Sequence, residues 1–108
     1  MRMDMRQLQK AVYQNKVDKG FNLTDIPLEF CSLYGEVSEA YTAWRKKQES
    51  VGEELADVTI FALGLAEMLG LDLQSEIERK VAINQKRAYG VVDGVFQRIA
   101  DAEEEKHD

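Results

Sequence analysis

The chain has 108 residues, 44% hydrophobic and 31% charged, with a formal net charge of −6. That length suits one domain with a modest core, and the acidic balance argues against a nucleic-acid surface. A single cysteine, Cys31, excludes an intrachain disulfide and fits a reducing cytoplasm, while a single histidine, His107, excludes a zinc centre built from several imidazoles.

No signal peptide is read at the start of the chain. The longest apolar stretch, residues 58–71, is too short to span a bilayer and contains Glu67, so no membrane role is expected. One proline, with glycines mostly at segment ends, favours helices over strands.

A first helix is predicted over 4–19, with Met5, Leu8, Ala11 and Val12 on its apolar side and Gly20 as its stop. After a linker at 21–25, Thr24 or Asp25 is placed to cap a second helix at about 26–47, and Pro27 suits its first turn. Phe30, Leu33, Val37, Ala40, Tyr41 and Trp44 recur there at helical spacing and mark the expected core side, with Glu36 and Glu39 at its edge.

Ser50 and Glu53 read as a capping box opening a third helix, which continues to about residue 69 and stops at Gly70. Glu54, Asp57, Phe61, Leu65 and Met68 form one stripe, so two acids continue an apolar seam, which is costly without a partner. Ile60 and Leu63 on the reverse side make this helix apolar nearly all round, and a homo-oligomer is the simplest way to cover it.

Asp72 is placed to cap a fourth helix at about 73–87, with Ile77 and Val81 inward. Asp93-Gly94 between short apolar runs is a hairpin signal, and about 97–108 reads as a solvated, mobile acidic tail. The expected fold is all-α: one domain over 1–108, a four-helix bundle-like protomer with a short C-terminal hairpin or irregular tail, assembling into an oligomer.

The strongest chemical signal is a double one. Glu36 with Glu39, and Glu54 with Asp57, each place two carboxylates three residues apart on one helical face. Helices joined by a short connection pack side by side, which brings the four acids together. Such a cluster repels itself unless a cation joins it. An all-oxygen donor set suits Mg²⁺, with Mn²⁺ acceptable. One Glu-x-x-Glu alone is an ordinary solvated face; two facing pairs, one on an apolar seam, are a rarer pattern. A di-iron carboxylate bundle needs Glu-x-x-His motifs, and no predicted helix here contains histidine.

Lys80, Asn84 and Arg87 share a face of the fourth helix and offer two cations and an amide to a polyphosphate, although cations near a helix C-terminus are favourable without any ligand. Lys46, Lys47 and Tyr89 are less specific substrate contacts. Trp44 and Tyr41 have core spacing and also the chemistry to stack on a nucleobase. Cys31 reads as a small buried residue rather than a nucleophile.

On these residues the chain resembles the MazG-like, all-alpha nucleoside triphosphate pyrophosphohydrolases, whose pattern is Glu-x-x-Glu, a gap, then Glu-x-x-Asp. Here it reads GEVSEA at 35–40 and EELADVTIF at 53–61, with a looser downstream match, KVAINQKRAY, at 80–89. The resemblance implies magnesium-dependent hydrolysis of a nucleoside triphosphate to the monophosphate and pyrophosphate, by attack of water at the alpha phosphorus. It carries metal binding and catalysis onto Glu36, Glu39, Glu54 and Asp57. It carries substrate contact onto Lys80, Asn84 and Arg87, and it implies a homodimer or dimer of dimers; Trp44 joins the substrate candidates on its own aromatic chemistry.

Some relatives have an acid where Gly35 stands here. The general base is therefore open between Glu53, a ligand carboxylate and water acidified by the metal itself. The competing readings are a phosphoribosyl-ATP pyrophosphatase-like enzyme and a non-catalytic helical oligomerisation module.

Overall fold

In the structure, a computed structural model that describes residues 2–101, the first helix, α1 (Met5–Lys19), begins at a capping box. The Asp4 carboxylate accepts from the Gln7 N–H at 2.8 Å, and the Gln7 side-chain carbonyl accepts from the Asp4 N–H at 2.9 Å. Gly20 ends α1 in the left-handed region, φ 72°, where a residue without Cβ is unstrained.

Asp25 caps α2 (Ile26–Arg45) by accepting from the Leu28 N–H at 3.1 Å, with Pro27 in the first turn. The third helix, α3 (Val51–Met68), starts without the expected box: Ser50 makes no side-chain cap bond. Its backbone, φ −77° and ψ 3°, is already close to helical rather than in the extended conformation that aims an N-cap hydroxyl at the first turn. At the far end the Leu71 N–H donates to the Ala66 carbonyl at 2.9 Å across Gly70.

The chain divides into two compact units, Met1–Gln74 and Ser75–Asp108. In the first, α3 is the central helix, packed by both α1 and α2. Its core is built from Ala40 and Ala43 of α2 with Leu63, Gly64, Leu65 and Ala66 of α3. Burial of Leu63 by its own chain corrects its placement on an uncovered reverse side; Ile60 does remain exposed. Gln9 of α1 is buried and fastens the end of α3. Its Nε2 donates to Glu67 Oε2 and to the Leu71 carbonyl, both at 2.7 Å, and its Oε1 accepts from the Leu73 N–H at 3.1 Å.

The core side of α2 also differs from the expected one. Glu29, Ala40 and Ala43 are buried, with Leu33 and Glu36 half-buried between them. Phe30, Val37, Tyr41 and Trp44 are exposed, Trp44 by 65%. Each of these lies one residue beyond the buried set, a rotation of about 100° around the helix. Turning Glu36 toward α3 turns the aromatic residues outward. Cys31, expected to be buried, is exposed for the same reason.

The second unit holds most of α4 (Leu73–Lys86) and an antiparallel hairpin of β1 (Arg87–Val92) and β2 (Val95–Asp101). No residue of α4 is buried; Ile77 and Val81, expected inward, are exposed. Within the first unit the helices packed together are α1, α2 and α3. The hairpin closes at Asp93 and Gly94, with φ 52° and 80°, the positive pair that a two-residue type I′ turn requires. Tyr89 stacks on Phe96 at 5.9 Å between ring centroids. Residues 97–101 of the expected tail belong to β2; the remainder of that tail, with His107, lies outside the described residues. Among the described residues no helix is long and apolar enough to cross a membrane.

Candidate metal centre and the cavity beside it

Glu36 stands on the inner face of α2, and Glu54 and Asp57 stand on the first two turns of α3. Each offers a carboxylate oxygen, and these three atoms lie within 4.8 Å of one another. Ligand oxygens sharing one magnesium ion stand about 3–4 Å apart, given bonds near ~2.1 Å, so the cluster is at the right scale. Glu36 Oε2 and Glu54 Oε2 are buried and have no hydrogen-bond partner. Orphaned buried carboxylate oxygens are expensive unless something positive completes them.

The electrostatics agree. The Glu36 carboxyl holds its proton above the ordinary 4.5, first through desolvation, then through the charge of Glu39 and a hydrogen bond with it, then through Asp57 and Glu54. An all-oxygen, mutually repelling set of this kind fits a hard divalent cation such as Mg²⁺ or Mn²⁺. The structure brings Glu36, Glu54 and Asp57 together most closely. Glu39 is exposed and lies outside that tight group, held against Glu36 one helical turn away. Glu53 and Gly35 are both exposed.

Beside the acids lies a cavity of about 900 Å³ between α1, α2 and α3. Ser32 of α2, one turn from Glu36, lines it, as do Ile60 and Phe61 of α3, one turn from Asp57. Leu8 and Val12 close the α1 side. Its polar wall is a buried ion pair: Lys16 Nζ donates to Glu29 Oε2 at 2.9 Å, with side-chain exposures of 9% and 5%. Asn22 Nδ2 donates to Glu29 Oε1 at 3.2 Å.

Neither this pair nor the cavity was read from the sequence. A signal was present. Glu29 lies seven residues before Glu36 on the same stripe of α2, and Lys16 lies four after Val12, so opposite charges sit on two apolar seams.

The remaining substrate candidates are on α2 and in the second unit. Trp44 is on the outer face of α2, 6.1 Å from Tyr41 between ring centroids. Lys80, Asn84 and Arg87 belong to the second unit. There Arg87 Nη1 donates to Asn84 Oδ1 at 3.1 Å, and Arg87 Nε is buried with no acceptor.

A small helical fold that holds opposed Glu-x-x-Glu and Glu-x-x-Asp pairs between adjacent helices defines a class of carboxylate-centred helical proteins. The MazG-like family matches residues 27–97, and the chain belongs to it. Over 45 residues it is 48% identical to the dATP/dGTP diphosphohydrolase of Cyanophage S-2L, a match covering 42% of this chain and 43% of that relative, less than half the relative's length. Its fold is similar to the solved Cyanophage S-2L MazG-like pyrophosphohydrolase bound to dGDP and three catalytic Mn²⁺ ions per active site. That likeness has a TM-score of 0.70 at 26% identity and covers 94% of this chain and 99% of the other.

Proposed function

We propose that this chain is a divalent-cation-dependent nucleoside triphosphate pyrophosphohydrolase, with Mg²⁺ as its metal and Mn²⁺ as a substitute. The observation that carries the reading is the pair of orphaned buried oxygens, Glu36 Oε2 and Glu54 Oε2, in a cluster with Asp57 no wider than 4.8 Å. Membership of the MazG-like family and the likeness to a nucleotide-binding pyrophosphohydrolase support it.

Glu36, Glu54 and Asp57 hold the cation, with Glu39, one helical turn from Glu36, as the fourth acid of the set. A cation bound there supplies charge neutralisation at phosphoryl oxygens and a more acidic water. The reaction consumes one nucleoside triphosphate and one water. The water oxygen bonds to the alpha phosphorus, the bridge to the beta phosphoryl group breaks, and the monophosphate and pyrophosphate leave. Phosphate contact by Lys80, Asn84 and Arg87 is part of the proposal; its support is the acceptor-less Arg87 Nε and the resemblance of 80–89 to the family.

We further propose self-association through the outer face of α2, as a homodimer or dimer of dimers. Phe30, Tyr34, Val37, Tyr41 and Trp44 form an exposed stripe at helical spacing, and a second copy covers such a face. Base contact by Trp44 then requires a site completed by that copy.

The test is product identification. Ribo- and deoxyribonucleoside triphosphates, with phosphoribosyl-ATP beside them, are incubated with Mg²⁺. Monophosphate with pyrophosphate is expected; orthophosphate with diphosphate overturns the assigned bond. No turnover of any nucleotide with either metal returns the chain to a non-catalytic helical module. Glu39→Gln is expected to lower turnover at least ~100-fold with the helices intact by circular dichroism.

A further inference from the structure

We propose that the cavity between α1, α2 and α3 seats the nucleobase of the substrate, and that the buried Lys16–Glu29 pair reads the base's hydrogen-bonding edge. This rests on the nucleotide reading of the acidic centre.

Position is the first argument. Ser32 and Glu36 share one face of α2, and Ile60, Phe61 and Asp57 lie within a turn of one another on α3, so cavity and acids are successive stretches of one groove. A nucleotide whose phosphates lie at the acids has its base within reach of the next turn. Chemistry is the second. The walls are mostly apolar, with Leu8, Val12, Ile60, Phe61 and Leu63 among them, and three of the polar lining residues, Lys16, Glu29 and Asn22, are joined by hydrogen bonds. That is the usual composition of a small-molecule site.

The third argument is the ion pair itself. A buried pair is a poor stabiliser, because apolar residues of similar volume often do as well or better. This one is nevertheless built with care. A Cβ on Gly64 would stand 3.3 Å from Lys16 Cδ and 3.4 Å from Val12 Cγ1, so the glycine leaves room for the lysine stem. Both charged groups keep spare capacity. An ammonium has three donors, and Lys16 uses one on Glu29. A carboxylate has about four acceptor sites, and Glu29 fills two, from Lys16 and Asn22. The wall therefore presents a donor beside an acceptor. Every standard base carries an N–H donor beside an acceptor on its pairing edge, and flipped bases are read in protein pockets through that edge.

The experiment uses the full chain with Mg²⁺ and compares natural deoxynucleoside triphosphates with the triphosphate of unsubstituted purine deoxyriboside, whose pairing edge has no N–H donor. The wild type is expected to favour its best natural substrate over the purine analogue by about ten-fold or more in kcat/KM, because the analogue offers no donor to the spare acceptor sites of Glu29. In the double variant K16M/E29M, chosen to keep the volume of the pair, that gap closes to within about three-fold. Ala11→Trp fills the cavity from an exposed position on α1; it is expected to raise KM about ten-fold while Mn²⁺ affinity, read by electron paramagnetic resonance, stays unchanged.

A second readout needs no turnover. Deoxynucleosides without phosphate should shift the NMR signals of the Asn22 amide and the Val12 and Ile60 methyls in wild type and not in Ala11→Trp. An undiminished gap in K16M/E29M, or cavity signals unmoved by any deoxynucleoside, overturns the proposal while leaving the hydrolase reading intact. If the wild type hydrolyses nothing, the hydrolase reading falls and the deoxynucleoside titration alone decides the cavity.

Discussion

At the level of single residues, Glu36 carries the most information. Its carboxyl binds a proton more tightly in the folded chain than the ordinary 4.5, mainly through desolvation. As pH rises from 4.5 toward the raised value, the folded chain holds more protons than the unfolded one, so stability falls through that window. Metal-free protein should therefore melt at lower temperature as pH climbs through it, and Glu36→Gln should flatten that part of the slope. Melting curves in chelator at a series of pH values check this; an identical slope in the variant contradicts it. Mg²⁺ or Mn²⁺ favours the ionised form, so added metal should raise Tm more at the upper end of the window than below it, and chelation should reverse the gain. The acids themselves were legible in the chain, because three-residue spacing puts a pair on one helical face whatever the tertiary context. Lys16 and Glu29 were not. A lone charge within a helical pattern carries no mark of whether the opposite charge that neutralises it comes from another helix.

Among the elements, boundaries were more legible than orientations. Asp25, Gly20 and Gly70 act where their local chemistry places them, while Asp4, expected as the first helical residue, is the N-cap of α1. Ser50 does not, because capping depends on a backbone conformation that the preceding turn withholds. The two helix starts should respond differently to the same truncation. Asp25→Ala loses a formed cap bond and should cost about 1 kcal/mol, whereas Ser50→Ala should cost under about 0.5 kcal/mol. Urea unfolding of both variants decides it; equal losses would mean that the Ser50 hydroxyl caps α3 after all. The hairpin was also legible, since Asp-Gly at the turn supplies the positive φ pair directly. The rotation of α2 was not. Its inner stripe and the aromatic stripe beside it are both apolar enough to read as core, and only the need to face α3 with Glu36 separates them.

For the whole molecule, the exposed stripe on α2 is the feature a single copy leaves unresolved. Tyr34, Tyr41 and Trp44 are 75%, 59% and 65% exposed, more apolar area on one helix face than a lone soluble chain usually shows. Sedimentation should find wild type at the mass of a dimer or tetramer, and Tyr41→Glu with Trp44→Glu should weaken the assembly about ten-fold or more; a wild-type monomer would remove the proposed interface. The amino-acid sequence by itself determined helical elements, their ends, the closing hairpin and the four acids, because each follows from spacing or from backbone chemistry within a few residues. Tertiary structure alone decided which face of α2 turns inward and that a buried ion pair closes a cavity beside the acids. Those outcomes depend on side chains far apart in the chain meeting in space, and such meetings leave no periodic trace along it.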